Sequence, residues 1–282
     1  MHLPRIGVAL ATLALAAQAA HAADWQPLFN GSNLDGWRTW LGKPPAALEI
    51  PGLARDAKGE YAAPLGWDRD PLGVFTVVAQ EGRPAIRISG QVNGGLVLAS
   101  PRGNYRLRLA YKWGAAPAGN RRRNSGLLYH GYTEPGAAGI WPSAHEMQMM
   151  EGNAGDYYAI GGASAEAYAR KADAPDYVYD SSVPAPLLFA PKSLAGRRCQ
   201  KSEVAESPAG QWTNFELVCY GDQSAQIVNG KTVLRLARSL RATDAGLVSL
   251  GEGTLLIQSE GAELFVRDVE ILPLTEAPAE LK

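Results

Sequence analysis

The chain is poor in the groups from which nucleic-acid interfaces and histidine-rich metal centres are built. It has four histidines among 282 residues, and two of them, His2 and His21, lie within the first 22 residues. The 27 basic residues are balanced by 28 acidic ones, and the only basic cluster is Arg121-Arg122-Arg123. Proteins that bind nucleic acid usually carry a basic patch or stripe. We therefore expect no nucleic-acid partner.

Beyond the N-terminus the sequence also lacks a long apolar run. The apolar stretch after Arg5 spans roughly 15 residues, fewer than the ~20 that a transmembrane helix needs. It ends at the small-x-small motif Ala20-His21-Ala22, which is typical of a signal-peptidase site. We predict a cleaved signal peptide over residues 1–22 and a secreted or periplasmic protein without a membrane span.

Cysteine is scarce, with only Cys199 and Cys219. Export to an oxidising compartment and a count of two favour a disulfide between them. Two buried free thiols are the alternative. No CxxC motif or nearby histidine completes the ligand set of a zinc site.

Helical periodicity is rare, whereas short strand-like runs and turn signals recur throughout. The segment Tyr105–Trp113 alternates large apolar residues with mostly polar ones, which predicts a strand with one buried face. Asn229-Gly230 lies between two β-rich runs and predicts a hairpin. Such spacing is typical of an all-β antiparallel sandwich. We predict one domain over residues 23–274 and a flexible tail over 275–282, with long loops at 38–72 and 160–198.

The segment from His145 to Tyr157 (HEMQMMEGNAGDY) carries the strongest functional signal. Because side chains alternate along a strand, Glu146 and Gln148 should share one face. A β-bulge after Gln148 would bring Glu151 onto that face as well. Two carboxylates and an amide in one cleft suit sugar chemistry.

Several ordered segments resemble the 3-keto-disaccharide hydrolase domain family, whose fold is similar to the concanavalin A-like lectin/glucanase fold. In chain order they are Leu28–Trp37, Asp68–Val78, Ile88–Leu96, Asn104–Gly114, Asn124–His130, His145–Tyr157, Gly210–Glu216 with Asn229-Gly230, and Ile257–Ile271. The resemblance covers nearly all of the predicted mature chain. It implies a β-sandwich (jelly roll) that cleaves the glycosidic bond of a small 3-keto sugar, by hydrolysis or by β-elimination followed by hydration.

Glucanases of this fold carry a Glu-x-Asp-x-x-Glu strand pattern, which Glu146-x-Gln148-x-x-Glu151 resembles with an amide in the middle. An endo-glucanase with Glu146 and Glu151 as its carboxylate pair is therefore one alternative. A carbohydrate-binding module without catalysis is another, because this fold hosts both lectins and enzymes.

Cleavage of a 3-keto-glycoside needs a base, a group that stabilises the enediolate oxygen, and an acid for the departing oxygen. Glu146 is the first candidate for the base, with His130 and Glu151 as further catalytic candidates. No cofactor is certain, but a divalent metal ion held by His130 and Glu146 could stabilise the enediolate. The remaining candidates share a role in substrate binding: Gln148, Trp141, Tyr158, Glu260 and Arg267.

Overall fold

Almost every element of the structure, a computed structural model, is a β-strand. The structure describes residues 24–115, 121–172 and 176–282, so the predicted signal peptide lies outside the described residues. The described residues form 22 strands and one short 3-10 helix, Ala279–Leu281, and no α-helix occurs among them. In this part of the chain no helix is long and apolar enough to cross a membrane.

Most strands are short and follow one another through turns. In chain order they are β1 (Gln26–Pro27), β2 (Trp37–Leu41), β3 (Gly66–Trp67), β4 (Phe75–Gln80), β5 (Arg83–Ile88), β6 (Gly94–Arg102), β7 (Tyr105–Trp113), β8 (Gly126–Gly131), β9 (Ala144–Gln148), β10 (Tyr157–Ile160), β11 (Ala163–Ala167), β12 (Ala169–Lys171), β13 (Tyr177–Tyr179), β14 (Leu187–Phe189), β15 (Arg198–Gln200), β16 (Thr213–Tyr220), β17 (Gln223–Val228), β18 (Lys231–Leu236), β19 (Arg238–Thr243), β20 (Gly246–Ser249), β21 (Gly253–Ser259) and β22 (Leu264–Pro273).

The strands form two large sheets and one small one. The first sheet has the order β18-β17-β16-β7-β22-β5-β4, with β1 also paired to β22. The second has the order β12-β13-β15-β10-β9-β8-β21-β6-β2-β3, and the small sheet has the order β14-β11-β19-β20. The pairs are antiparallel apart from β13 with β15. The predicted all-β antiparallel sandwich is thereby confirmed.

The main core lies between the two large sheets. Strand β7 places Tyr105, Leu107, Leu109, Tyr111 and Trp113 in it, as their alternation predicted. Strands β8, β9, β10 and β21 add buried residues from the second sheet, including Tyr129, Met147, Tyr157 and Ile257. Burial of such large side chains is the main stabilising contribution in a sandwich of this kind.

The predicted hairpin at Asn229-Gly230 is also present, joining β17 to β18. Asn229 has φ 48° and Gly230 has φ 78°, the positive values that a two-residue hairpin turn with Asn-Gly requires. Asn and Gly are the residues that adopt this backbone at least cost.

One prediction about an irregular segment was wrong. The stretch 160–198, expected to be a loop, contains four strands, β11 to β14, which Ala-rich composition hid from pattern analysis. In the tail predicted to be flexible, Leu281 packs, together with the preceding Leu274, on Val218, Ala225 and Ile227. Glu280 also forms an ion pair with Arg106 at 2.7 Å.

The predicted disulfide between Cys199 and Cys219 is not present. Both residues are buried free thiols. Cys199 lies on β15 of the second sheet and Cys219 on β16 of the first. The two cysteines, paired in the prediction because there are only two and export was expected, therefore belong to different sheets. Burial raises the pKa of the Cys219 thiol to about 12, which keeps it protonated and unreactive.

Candidate active site

Strand β9 supplies the centre of the site because its side chains alternate between the core and the opposite face of the second sheet. Met147 packs in the core, and the neighbouring residues Glu146 and Gln148 line a cavity on the other face. Glu146 is only 4% exposed despite its carboxyl group. The shared face predicted for Glu146 and Gln148 is confirmed.

The cavity has a volume of about 220 Å³. Its polar lining comes from strands β9, β10 and β21 and from the segments flanking β8 and β15. The lining residues are Asn124, Ala138, Trp141, Glu146, Gln148, Met150, Tyr158, Ile160, Gly161, Arg197, Gln258 and Glu260. Carboxyl, amide and aromatic groups therefore converge in one small cleft, as is usual for a ligand site.

Gly126 makes room for the carboxyl group at the centre of this cleft. It lies on β8, between β9, which carries Glu146, and β21, which carries Gln258. A Cβ atom at position 126 would overlap the Glu146 carboxylate and lie 2.6 Å from Gln258 Oε1. The absence of a side chain here lets Glu146 and Gln258 meet across the intervening strand.

Two carboxyl groups in the cavity have strongly raised pKa values. Burial, followed by the nearby charge of Glu260, raises the pKa of Glu146 to about 8. Burial also raises the pKa of Glu260 to about 7, although a hydrogen bond from Asn124 and the charge of Arg197 act to lower it. Near neutral pH the pair therefore holds about one proton, which supplies one acid and one base.

Two buried carbonyl oxygens beside this pair have no hydrogen-bond partner among the described residues. They are Asn124 Oδ1 and Gln258 Oε1. The side chain of Gln258 interacts with Glu146 and that of Asn124 with Glu260, and each interaction acts to lower the pKa of the carboxyl group. Buried acceptors without partners are costly unless a ligand or water satisfies them. They indicate a ligand that brings hydroxyl donors, as a sugar does.

Comparison with known protein families identifies the family of this chain. Residues 24–272 match the family model of the 3-keto-alpha-glucoside-1,2-lyase-like domain. The chain belongs to this family. The resemblance predicted from the ordered segments is thereby confirmed, and no curated protein matches the chain.

Solved structures similar to this family member include two candidate glycosyl hydrolases from Parabacteroides distasonis ATCC 8503. The first is 17% identical with a TM-score of 0.48, covering 89% of this chain and 94% of the other. The second is 16% identical with a TM-score of 0.44, covering 89% of this chain and 100% of the other. A carbohydrate-binding module, CBM66 from Bacillus subtilis, is 8% identical with a TM-score of 0.40, covering 70% and 91%.

In this lyase-like domain the structure brings five predicted site residues into the cavity: Glu146, Gln148, Trp141, Tyr158 and Glu260. The Gln148 side-chain oxygen accepts hydrogen bonds from the backbone N–H groups of Met149 and Met150, both at 2.8 Å. This contact fixes the amide and leaves its NH2 group as a donor for a ligand.

Two further residues of the cavity come from irregular segments. Asn124 precedes β8, and Arg197 precedes β15. Neither position has a strand alternation that would assign it a face, so sequence patterns did not identify them. Gln258, by contrast, sits on β21 at a position where alternation with the core residue Ile257 points it toward the cavity.

The prediction that His130 lies in the site was wrong. His130 is fully buried and packs edge-on against Tyr105 and Tyr129 in the core, on the other side of the sheet from Glu146. A bulge in β8 is the cause: Leu128 pairs with Leu256 and Gly131 with Thr254, which leaves two residues of β8 opposite one of β21. His130 takes a positive φ of 51° in this bulge and turns inward.

This placement also removes the predicted metal pair, because His130 and Glu146 lie on opposite faces of the sheet. No cluster of three or more His, Cys, Asp or Glu side chains suited to a metal ion occurs among the described residues. The residues predicted as metal ligands therefore do not fit a shared ion.

Glu151 and Arg267 also lie outside the cavity. Glu151 forms an ion pair with Arg123 at 3.1 Å and lines a different depression, so the predicted Glu146–Glu151 carboxylate pair is wrong. Arg267 belongs to the first sheet, where its guanidinium stacks on Trp212 at 3.8 Å. The carboxyl group that accompanies Glu146 is Glu260.

Proposed function

We propose that the protein is an exported enzyme that cleaves the glycosidic bond of 3-keto-glycosides by elimination, with Glu146 and Glu260 as its acid–base pair. The observation that carries the proposal is the pair itself. Two carboxyl groups in one cavity, with pKa values of about 8 and about 7, provide both proton donor and acceptor near neutral pH. The family description, a 3-keto-alpha-glucoside-1,2-lyase-like domain, supports this reaction.

The reaction uses the acidity that the C3 ketone gives to the C2 hydrogen. A carboxylate removes that proton, the electrons of the C2–H bond form a C1–C2 double bond, and the C1–O bond breaks. The departing oxygen takes a proton from the second carboxyl group, so charge balances over the two steps. Addition of water across the double bond completes a net hydrolysis.

We assign the base to Glu260 and the acid to Glu146. Glu260 has the lower pKa of the two, so it ionises first as pH rises. Glu146 is more deeply buried and keeps its proton to about pH 8. From its strand position alone Glu146 is the natural base, but its burial makes it the better acid.

The other cavity residues support binding of a sugar ring. The half-buried Trp141 offers an aromatic face for the ring, and the Gln148 NH2 group is a donor for an oxygen that becomes negative when C2 loses its proton. The acceptors Asn124 Oδ1 and Gln258 Oε1 would receive sugar hydroxyls.

The test incubates the purified protein with a 3-keto-glucoside in D2O, beside the unoxidised parent glucoside and a β-glucan, each with and without chelator. We expect cleavage of the keto sugar alone, with one deuterium at C2 of the product beyond that in an enzyme-free control. Release of a saturated 3-keto sugar that keeps its original C2 hydrogen would replace elimination by direct hydrolysis, whereas release of the unsaturated sugar would show elimination without hydration. Cleavage of the parent glucan and not the keto sugar would contradict the proposal, and binding without turnover would indicate a carbohydrate-binding module. Export is tested separately by fractionating cells that express the full chain.

A further inference from the structure

A second depression borders the Glu146 cavity. It has a volume of about 310 Å³, and its lining includes Tyr158, Asp176, Ser193, Arg197 and Arg198. Tyr158 and Arg197 line both hollows, so the two are continuous at these residues. The second hollow offers a carboxylate, a hydroxyl and two guanidinium groups beside the apolar side chains of Leu194 and Ala195.

The Glu146 cavity is too small to hold a whole glycoside with a bulky leaving group. Its volume of about 220 Å³ lies below the roughly 300–1,000 Å³ of typical ligand pockets. A substrate with its cleaved bond beside Glu146 and Glu260 must therefore extend beyond this cavity. The second depression is the adjoining hollow that shares lining residues with it.

The two arginines between the hollows are held differently. Arg198 donates to Asp156 at 2.7 Å and to Asp176 at 3.3 Å, which fixes its guanidinium. Arg197 makes no ion pair with any described residue, and its guanidinium lies 5.6 Å from the centre of the Tyr158 ring. Its charge acts on both Glu146 and Glu260. Arg197 is thus a free donor that faces the acid–base pair from the boundary of the two hollows.

We propose, on the basis of the proposed function, that the second depression is the leaving-group subsite and that Arg197 positions the leaving group. The 3-keto ring occupies the Glu146 cavity, and the leaving group lies against Tyr158, Asp176 and Ser193. Arg197 donates a hydrogen bond to a hydroxyl group of the leaving group. Because this hollow offers both donors and acceptors, it favours a hydroxylated leaving group, such as a second sugar, over a methyl or alkyl group.

The experiment compares a 3-keto-disaccharide with a methyl 3-keto-glucoside of the same anomeric configuration. Wild type and the variants Arg197→Gln and Asp176→Asn are assayed, each at its own pH optimum, because loss of the Arg197 charge should raise the pKa of both carboxyl groups. We expect Arg197→Gln to raise KM for the disaccharide by about 10–100-fold and to change KM for the methyl glycoside less than threefold, since a charge-assisted hydrogen bond contributes on that scale. Asp176→Asn should act in the same direction more weakly.

Arg241→Gln is the matched control, because Arg241 also lies beside a tyrosine ring, that of Tyr132 at 5.7 Å, but lines neither hollow. Arg241→Gln should leave the KM for both substrates unchanged. Equal losses on both substrates in Arg197→Gln would overturn the subsite while leaving the proposed function in place. Failure of the wild type to cleave either substrate would overturn the proposed function and the subsite with it.

Discussion

Glu146 on β9 and Glu260 after β21 face one cavity from two strands that are separated by β8, and the charge of Glu260 raises the pKa of Glu146. The side chain that would otherwise stand between β9 and β21 is missing, since position 126 of β8 is glycine.

Replacing either carboxyl group by an amide should remove most of the activity. Glu146→Gln removes the proton donor and Glu260→Gln removes the proton acceptor. A positioned acid or base contributes roughly 10²–10⁴-fold to the rate. We expect kcat on a 3-keto-glucoside to fall by that factor with unchanged circular dichroism. Glu151→Gln is the control, because Glu151 pairs with Arg123 outside the cavity, and it should retain near wild-type kcat. Full activity in Glu146→Gln would remove this residue from the mechanism.

The rate should depend on pH as a bell centred between about 7 and about 8. Below about pH 7 Glu260 becomes protonated and no base is present, whereas above about pH 8 Glu146 loses its proton and no acid is present. The two apparent pKa values of this profile belong to the coupled pair of carboxyl groups, and they are measured from the dependence of kcat/KM on pH. In Glu260→Gln the residual titration of Glu146 should move to lower pH, since the like charge is gone. A flat profile from pH 6 to 9 would contradict the assignment.

Glu146 should reduce the stability of the fold at alkaline pH. Its pKa is higher in the folded chain than in the unfolded one, so the stability it contributes is present below about pH 4.5 and is lost as pH rises toward about 8. As pH rises from about 4.5 to about 8, the free energy of unfolding of Glu146→Gln should therefore increase by a few kcal/mol relative to that of the wild type. Urea unfolding at pH 5 and pH 8.5 measures the difference. An equal effect of the substitution at both pH values would show that Glu146 titrates normally.

Gly126→Ala should abolish catalysis with little loss of strand structure. The backbone at 126 is acceptable to alanine, but the added methyl group would displace the Glu146 carboxylate and the Gln258 amide. We expect kcat to fall by at least 10²-fold, in line with the loss of one acid–base partner. Gly103→Ala is the matched control, since its nearest neighbour would be 3.8 Å away. Wild-type turnover in Gly126→Ala would show that Glu146 does not need its present position.

The buried histidines should make the fold sensitive to acid. Burial lowers the pKa of His130 to about 4 and that of His145 well below its usual value. The unfolded chain therefore binds protons that the folded chain does not, and stability falls as pH drops from about 6.5 toward about 4. His130→Asn keeps a residue that tolerates the positive φ and removes this titration.

That variant should be less stable than wild type at pH 7, because a smaller side chain leaves a cavity. The difference between the two proteins should shrink by about 3 kcal/mol on going from pH 7 to pH 4. Thermal unfolding across this range measures it. A constant difference would show that His130 titrates in the folded chain as it does in the unfolded one.

Strand alternation was sufficient to predict the parts of the site that lie on regular strands. Glu146 and Gln148 share a face because nothing interrupts β9 between them. The same reasoning failed where one extra residue breaks the alternation. His130 lies two residues after Leu128, yet the bulge at this point sends it into the core, and no residue type in NSGLLYH signals the bulge.

The partner of Glu146 could not be chosen from local spacing. Glu151 is near in sequence but turns toward Arg123, whereas Glu260 is distant in sequence and enters the cavity because β21 lies two strands from β9. Strand order in an antiparallel sheet depends on pairings across the whole chain. Arg197 and Asn124 depend on loops, whose course is set by contacts that composition does not encode.

The burial of Glu146 and Glu260 has a consequence for laboratory evolution of this protein. If a library of variants were selected only for resistance to heat at alkaline pH, neutral replacements at these two positions would be among the favoured ones, because each removes a charge from a poorly hydrated place. Selection for thermal stability alone would then remove catalytic activity first and leave the β-sandwich fold intact. Any screen for hardier forms of the enzyme must therefore score turnover in the same round.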